Sequence, residues 1–445
     1  MPISPARVAA FEILLRVERE SAYAPELLHG PRYTRLSAAD HGLATELLMG
    51  VLRWRSRLDA HIAEQSSQKL GQLDLEVLIA LRLGCYQLDF LSRVPQRAAV
   101  HESVELVKRA RKRSAAPFVN AILRKLAAKS ATRPLAEDVT TPAALAAASA
   151  HPLWLVERWT REFGFHSARQ VCAYDQAVPE TALRLYAPEA EAELQREGVA
   201  LAPGRLLTTA RRAGSGEITK TRAFREGRVA IQDEASQLVA LLVGHGQRIL
   251  DCCAAPGGKT RMLAGQNPQA KITAVELHSQ RVRLLQKLLF GKKVEIVTSD
   301  VCALPGEAAY DRVLADVPCS GTGTLARNPE IKWRLQPQDF ADLQQRQLAI
   351  LRSAMRQAAP GGRIVYSTCS LEPEENSAVV EMALAAEPGF SLCRCREELQ
   401  RFRSEGELAV SDLDSLIQGP YLRTIPGVHP CDGFFAAILK RNQVV

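Results

Sequence analysis

No stretch of this 445-residue chain approaches the roughly 18 consecutive apolar residues that a membrane-spanning helix needs, so no membrane association is expected. The opening residues, MPISPARVAAFEILLRVERE, carry charge every few positions. They lack the apolar core and small-residue cleavage site of a secretory signal, and the expectation is a cytosolic protein. None of the ten cysteines forms a C-x-x-C pair, and no histidines cluster near them. That argues against a zinc site, and disulfides are unexpected in a reducing compartment. There is no internal repeat and no low-complexity tract. With 47% hydrophobic and 24% charged residues, the chain is neither wholly disordered nor collagen-like. Its length suits about two to four domains.

Charge is present but uneven. Residues 1–130 hold 20 Lys and Arg against 13 Asp and Glu, nearly all of the chain's net +8. A concentrated basic excess suits a polyanionic partner. The same third reads as helical throughout. Val8, Phe11 and Leu15 share a helical face, as do Leu43, Leu47 and Val51. Leu75, Leu78, Ile79 and Leu83 make a third stripe, and Val119, Ile122, Leu123 and Leu126 a fourth. Between these last two lie Lys108, Arg109, Arg111, Lys112 and Arg113, a run able to contact phosphate.

An Ala-, Thr- and Ser-rich connector with weak helix is expected over residues 127–150. A small α/β unit follows, with a helix from His151 and strands at Leu183–Tyr186 and Gly227–Gln232. From about residue 235, short strands alternate with helical stretches. The strands are expected at 248–252, 271–276, 294–297, 312–316 and 363–367, with a last apolar strand at 434–439. That alternation implies an α/β doubly wound, Rossmann-like sheet.

The first expected strand of that sheet ends at Asp251 and runs into a Pro-Gly-Gly turn that opens a helix at Lys259. Glycines here let a ligand approach the backbone, and the helix start offers free N–H groups. The Walker A phosphate loop fails, because Cys253 stands where its first glycine belongs. The G-x-G-x-x-G dinucleotide fingerprint fails as well. Glu276 lies 18 residues past Gly258, at the end of the second strand, where a carboxylate accepts hydrogen bonds from ribose hydroxyls. Asp300 ends the third strand, placed to meet an adenine amino group, and Asp316 ends the fourth. Any one such acid is most simply a helix cap. Together they line one sheet edge, where ligands of such sheets bind.

Two cysteines follow strand ends: Cys319 in DVPCSGTGT and Cys369 in YSTCS. Both sit among Ser, Thr and Gly rather than among Leu and Ile. A loop near a helix start favours the thiolate, the reactive form.

DCCAAPGGKT, DVPCSGTGT and STCS resemble the RNA cytosine-5 methyltransferases, which use S-adenosyl-L-methionine. The N-terminal third resembles a NusB-type RNA-binding domain, through DHG at Asp40–Gly42, LLMGVLRWRSRLD, VPQRAAVHESVELVKRA and FVNAILRKL. The combination is similar to the bacterial 16S rRNA branch of that family. It extends through VAIQDEASQLVA at Val229–Ala240 and the terminal HPCDGFFAAILKR. Tyr186 departs from the pattern, where the family usually has Asn, and so does the doubled Cys252–Cys253.

The resemblance implies three domains: a NusB-like domain over 1–140, a connector and small α/β RNA-binding subdomain over 141–234, and a catalytic domain over 235–445. It implies Cys369 as the nucleophile adding to C6 of cytosine, Cys319 as the aid to product release, and Asp316 beside the pyrimidine. In the DNA enzymes the residue matching Cys319 attacks instead. Cys253, Ala254, Ala255, Pro256, Gly257, Gly258 and Lys259 would hold the methionine part of the cofactor. Glu276, Asp300 and Asp316 complete the cofactor set. Arg327, Asn328, Pro329, Lys332 and Trp333 would frame a flipped base. The expected partner is 16S rRNA, with no obligate protein partner and a monomeric chain. A non-catalytic RNA-binding protein would leave Cys319 and Cys369 unused. A small-molecule methyltransferase would leave the basic domain unexplained, and another RNA such as tRNA remains an alternative substrate.

Overall fold

The computed structural model describes residues 3–443 except 21, 34, 129–138 and 307. The core of the expected connector, 129–138, therefore lies outside the described residues. The chain folds into two compact units, Met1–Val178 with Leu325–Arg334, and Pro179–Thr324 with Leu335–Val445.

The first unit is helical. Its main helices are Pro5–Glu20, Ala38–Gln65, Leu75–Phe90, Gln96–Arg109, Ala116–Ala128 and Leu153–Gln176. Apolar residues three and four apart turn inward. Phe11, Leu47, Val51, Ile79, Leu83, Val119 and Leu123 are all buried in one core, each contributing about 1.5–3 kcal/mol. Ser37 caps the longest helix by accepting from the Asp40 amide. Helices Pro142–Ala148 and Leu153–Gln176 group with this unit, whereas the sequence placed them with the α/β subdomain. Their apolar faces, Leu145, Leu155, Val156 and Trp159, are buried.

Segment Leu325–Arg334 also belongs to the helical unit. Lys332 donates to the Arg53 carbonyl at 3.0 Å, and Trp333 Nε1 to the Leu52 carbonyl at 2.6 Å. Arg53 in turn donates to the Ala326 carbonyl at 2.9 Å. Lys332 is buried, and burial pulls its amine down to about 7 against the attraction of Asp175. Lys332 and Trp333 therefore do not frame a base as expected. Their polar atoms cap carbonyls of the helical unit.

The second unit holds two sheets. Strands β1 (Thr181–Leu185), β2 (Ala200–Pro203), β3 (Ala210–Ser215) and β4 (Val229–Ile231) form a small antiparallel sheet in the order β2-β3-β1-β4. The large sheet contains β5 (Arg248–Asp251), β6 (Lys271–Glu276), β7 (Val294–Thr298), β8 (Tyr310–Asp316), β9 (Ala358–Thr368), β10 (Phe390–Cys393), β11 (Ile417–Gln418), β12 (Tyr421–Thr424) and β13 (Phe434–Arg441). Its order is β11-β12-β13-β9-β8-β5-β6-β7, with β10 also on β13.

Strands β5 to β9 run parallel. The final apolar strand joins as expected but antiparallel to β9, so the sheet is mixed. It is reached through the β11–β12 hairpin rather than a helical crossover. Alternation along each strand feeds two cores. Ile249, Leu314 and Val365 face one side, while Leu250, Val313 and Ile364 face the other. Strand order reverses between β5 and β8, which opens a crevice at their C-terminal ends.

Candidate active site

Strand β5 delivers Asp251, fully buried, to the head of the crevice. Thr260 Oγ1 donates to its Oδ2 at 2.7 Å. Burial pushes the Asp251 carboxyl up to about 7, against the bond from Thr260. The turn that follows places Gly257 at φ +112, ahead of the helix Gly258–Gln266. A Cβ on Gly257 would lie 2.7 Å from Leu285 Cδ1, whereas one on Gly258 would meet nothing nearer than the Gln232 amide at 3.5 Å. Gly257 is thus required by the backbone and by packing, whereas a Cβ on Gly258 would sit in ordinary contact with Gln232. Arg281 donates to the Ala255 carbonyl at 3.1 Å and steadies the turn.

Beside the turn lies a cleft of about 330 Å³, within the range of small-molecule sites. Cys253, Glu276 and Asp300, all expected from the sequence, line it together. Glu276 Oε1 accepts from the His278 amide at 2.9 Å, and Asp300 Oδ1 from the Cys302 amide at 2.8 Å. Both carboxylates are thereby oriented. Leu277, Val301, Pro318 and Ile350 supply apolar walls suited to a flat base. Carboxylates and apolar walls lining one cleft fit a nucleoside. Arg281, Arg346 and Ile350 were not anticipated. Arg346 and Ile350 come from the helix Asp339–Gln357, whose sequence reads only as an amphipathic helix. Ala254, Ala255, Pro256, Gly257, Gly258 and Lys259 form the turn and helix start rather than the cleft lining.

Asp316 and Lys259 make a second cluster. Lys259 Nζ donates to Asp316 Oδ2 at 2.7 Å, and Ser367 Oγ to Oδ1 at 2.7 Å. Burial alone would lower the Lys259 amine, but Asp316 outweighs it and the net shift is upward. Lys259 therefore stays an ammonium.

Strands β8 and β9 are neighbours, with Asp316 opposite Ser367. That register carries the two loops beyond them to the same place, and the Sγ atoms of Cys319 and Cys369 lie 3.3 Å apart. Its hydrogen bond to Cys369, then burial, push the Cys319 thiol well above the ordinary thiol range. Cys319 is thus held as a neutral thiol.

One residue absent from the sequence expectations joins these loops. The buried Glu375 accepts from the Ser320 amide and from Gln347 Nε2, each at 2.8 Å, and from the hydroxyls of Ser320 and Ser370. Gly323 packs on the same loops, its amide donating to the Cys369 carbonyl at 2.9 Å.

In the helical unit, the expected phosphate-contacting run is partly paired. Lys108 meets Glu105 at 2.7 Å, Lys112 meets Asp74 at 3.0 Å, and Arg109 meets Glu12 at 3.4 Å.

Known proteins share both halves. The model of the family described as 16S rRNA methyltransferase RsmB/F matches residues 238–440, and the NusB family model matches residues 4–128. The probable ribosomal RNA small subunit methyltransferase B of Bacillus subtilis is 31% identical over 463 residues, covering 99% of this chain and all of that one. The chain belongs to the RsmB/F family of 16S rRNA methyltransferases. The Klebsiella pneumoniae ribosomal RNA small subunit methyltransferase B, another relative, is 31% identical over 93% of each chain. The crystal structure of PH0851 shares the fold across 99% of this chain and 100% of that one, with a TM-score of 0.80 and 23% identity. NSun6 from Pyrococcus horikoshii, solved with SFG, shares it over 66% of this chain and 100% of that one, at a TM-score of 0.55 and 18% identity.

Two outcomes test this geometry. A Cβ on residue 323 would lie 2.3 Å from the Gly433 carbonyl oxygen and 2.8 Å from that of Cys369, both backbone. Gly323→Ala should lower stability by roughly 1–3 kcal/mol and reduce turnover, read by denaturant titration and methyl transfer; an unaltered variant would contradict the packing. The second concerns pH. An unfolded aspartate titrates near pH ~3.9, while Asp251 in the fold holds its proton to about 7. The unfolded chain loses that proton first, so this group's stabilisation is full below pH ~4 and is lost as pH rises to about 7. Asp251→Asn should flatten the fall in melting temperature across that window. An identical pH profile would show that Asp251 does not titrate as described.

Proposed function

We propose that the chain methylates C5 of a cytosine in 16S rRNA with S-adenosyl-L-methionine, using Cys369 as nucleophile and Cys319 as the aid to release. The observation that carries this reading is the meeting of the two thiols at the ends of neighbouring strands, next to Asp316 and Lys259.

Cytosine C5 is a weak nucleophile. Addition of the Cys369 thiolate to C6 forms an S–C6 bond and moves the ring's electron pair onto C5. S-adenosyl-L-methionine would supply the electrophilic methyl group to C5, its S–CH3 bond breaking and its sulfur leaving as the thioether S-adenosylhomocysteine. Loss of the C5 proton to a base returns the electron pair, breaks the S–C6 bond and frees the Cys369 thiolate. Asp316, held by Lys259 and Ser367, accepts from the polar edge of the base and orients the pyrimidine over Cys369. Glu276 and Asp300 would hold the cofactor's nucleoside, and the Cys253–Lys259 turn its methionine end.

The hydrogen bond to Cys369, with burial and Glu375 beside it, keeps Cys319 a protonated thiol while Cys369 attacks. In this reading Cys319 acts only after methyl transfer, in the elimination step. RNA affinity in this reading comes partly from the basic excess of residues 1–130.

Radiolabelled methyl transfer to protein-free 16S rRNA tests the activity itself. Cys369→Ala should abolish both turnover and any covalent protein–RNA adduct. Cys319→Ala should attack and transfer methyl, then stall as an adduct visible as a shifted band on a denaturing gel. An adduct trapped by Cys369→Ala and none by Cys319→Ala would reverse the roles. Glu276→Gln should weaken S-adenosyl-L-methionine binding about tenfold or more by calorimetry, as expected for a lost hydrogen bond to a charged group. Unchanged affinity would remove Glu276 from the cofactor site.

A further inference from the structure

We propose that residues 277–293 of the sheet unit form a second RNA-contact surface, gripping a single-stranded stretch of the substrate beside the nucleoside cleft; this rests on the RNA methyltransferase reading above. The stretch, LHSQRVRLLQKLLFGKK, carries five Lys and Arg and no Asp or Glu. Residues 131–445 are together nearly neutral at +1, so everything there outside this stretch sums to −4. The excess is local, not a general property of that half.

The fold turns this charge outward. In the helix Ser279–Leu288, Val282 and Leu285 are buried, with Leu289 beneath the turn that follows. That leaves Arg283 and Lys287, one turn apart, on the solvent side, and Lys292 and Lys293 in the exposed loop before β7. Arg281 is engaged with the Ala255 carbonyl and, at 3.7 Å, with Glu276. The other four make no ion pair among the described residues. The run at Lys108–Arg113 differs, because three of its five cations already have acidic partners.

An aromatic ring stands among these cations. Phe290 is 90% exposed, and Leu284 and Leu277 are 56% and 45% exposed. Three of the nine exposed large apolar side chains among the described residues thus fall within 14 positions. Cations without anions suit a phosphate backbone, and a bare ring suits a stacked base. Stacking on Phe290 requires an unpaired base, and chemistry at C5 requires the target base out of its helix. Both favour single-stranded RNA over duplex. The surface is continuous with the cleft, since Leu277, His278 and Arg281 also line it.

The test uses the full-length protein, a 16S rRNA fragment containing single-stranded segments, and fluorescence anisotropy across a salt series. The variant R283Q/K287Q/K292Q/K293Q should weaken binding and reduce the salt slope by about 0.7 per lost phosphate contact. Phe290→Ala should weaken binding about fivefold with the slope kept, the lower end of the effect of one stacked base. In both, KM for RNA should rise while kcat at saturating RNA and calorimetric S-adenosyl-L-methionine affinity stay unchanged. Unchanged RNA affinity in both variants, with wild-type methylation intact, would overturn the surface and leave the enzyme reading standing. A parallel loss of S-adenosyl-L-methionine affinity would make the stretch a support for the cleft and also overturn it. Loss of poly-L-glutamate binding with RNA affinity kept would assign the surface to an acidic protein instead. Wild-type protein that binds the fragment through these residues but transfers no methyl group to any RNA would overturn the enzyme reading alone.

Discussion

Glu375 is fully buried and accepts hydrogen bonds from Ser320 and Ser370, the residues immediately after Cys319 and Cys369. A buried carboxylate without partners costs several kcal/mol, and each donor withdrawn from one costs about 1–3 kcal/mol. Neither cysteine loop can drift without leaving part of that charge unsatisfied. The register of β8 with β9 brings the two loops to the same edge, and Glu375 fixes their separation. Gly323 then fills the remaining space so tightly that no side chain fits. The 3.3 Å between the thiols is thus a consequence of strand pairing, one buried charge and one missing Cβ.

The charge state of each group around this pair follows from its burial together with its partner. Asp251, fully buried with a hydroxyl as its partner, is pushed toward neutrality. Asp316, with Lys259 and Ser367 on its two oxygens, is paired with a full positive charge. Two aspartates at the ends of adjacent strands therefore have different tasks. One holds the turn through Thr260, and the other presents an oriented ion pair beside the thiols. The same contrast recurs in Lys259 and Lys332. Lys259 is half-buried and faces a carboxylate at hydrogen-bond distance, so it stays charged, while the buried Lys332 donates to a carbonyl and is pulled down to about 7.

What was legible in the sequence was local. Asp251, Glu276 and Asp316 each end a strand, Asp300 lies two residues past β7, and the glycine turn follows β5 at once, so pattern alone located them. Helical stripes such as Val119, Ile122, Leu123 and Leu126 identified buried faces. Contacts made at long sequence distance were not legible. Glu375 lies 55 residues from Ser320 and reads only as part of an acidic loop. Arg346 reaches the cleft from a helix with no motif. Strands β2 and β3, ALAP and ARRAGS, have too little apolar alternation to be read as strands. Lys332 and Trp333 followed a cysteine motif in sequence, yet the backbone carbonyls that hold them come from a helix some 280 residues earlier.

Charge shows the same limit from another side. A sum over residues 1–130 counts every lysine and arginine equally, but a cation beside a carboxylate offers a phosphate much less than a free one does. Arg82 is bonded to Asp59 by two nitrogens at 2.7 and 2.8 Å, and Arg7 meets Glu102 at 3.1 Å. These side chains tie helices together, so part of the helical unit's basic excess is structural. In the other half, a sum near zero hides a stretch with five cations and no anion. Net charge predicts which chain attracts RNA at long range. Pairing within the fold decides which side chains are left to hold it.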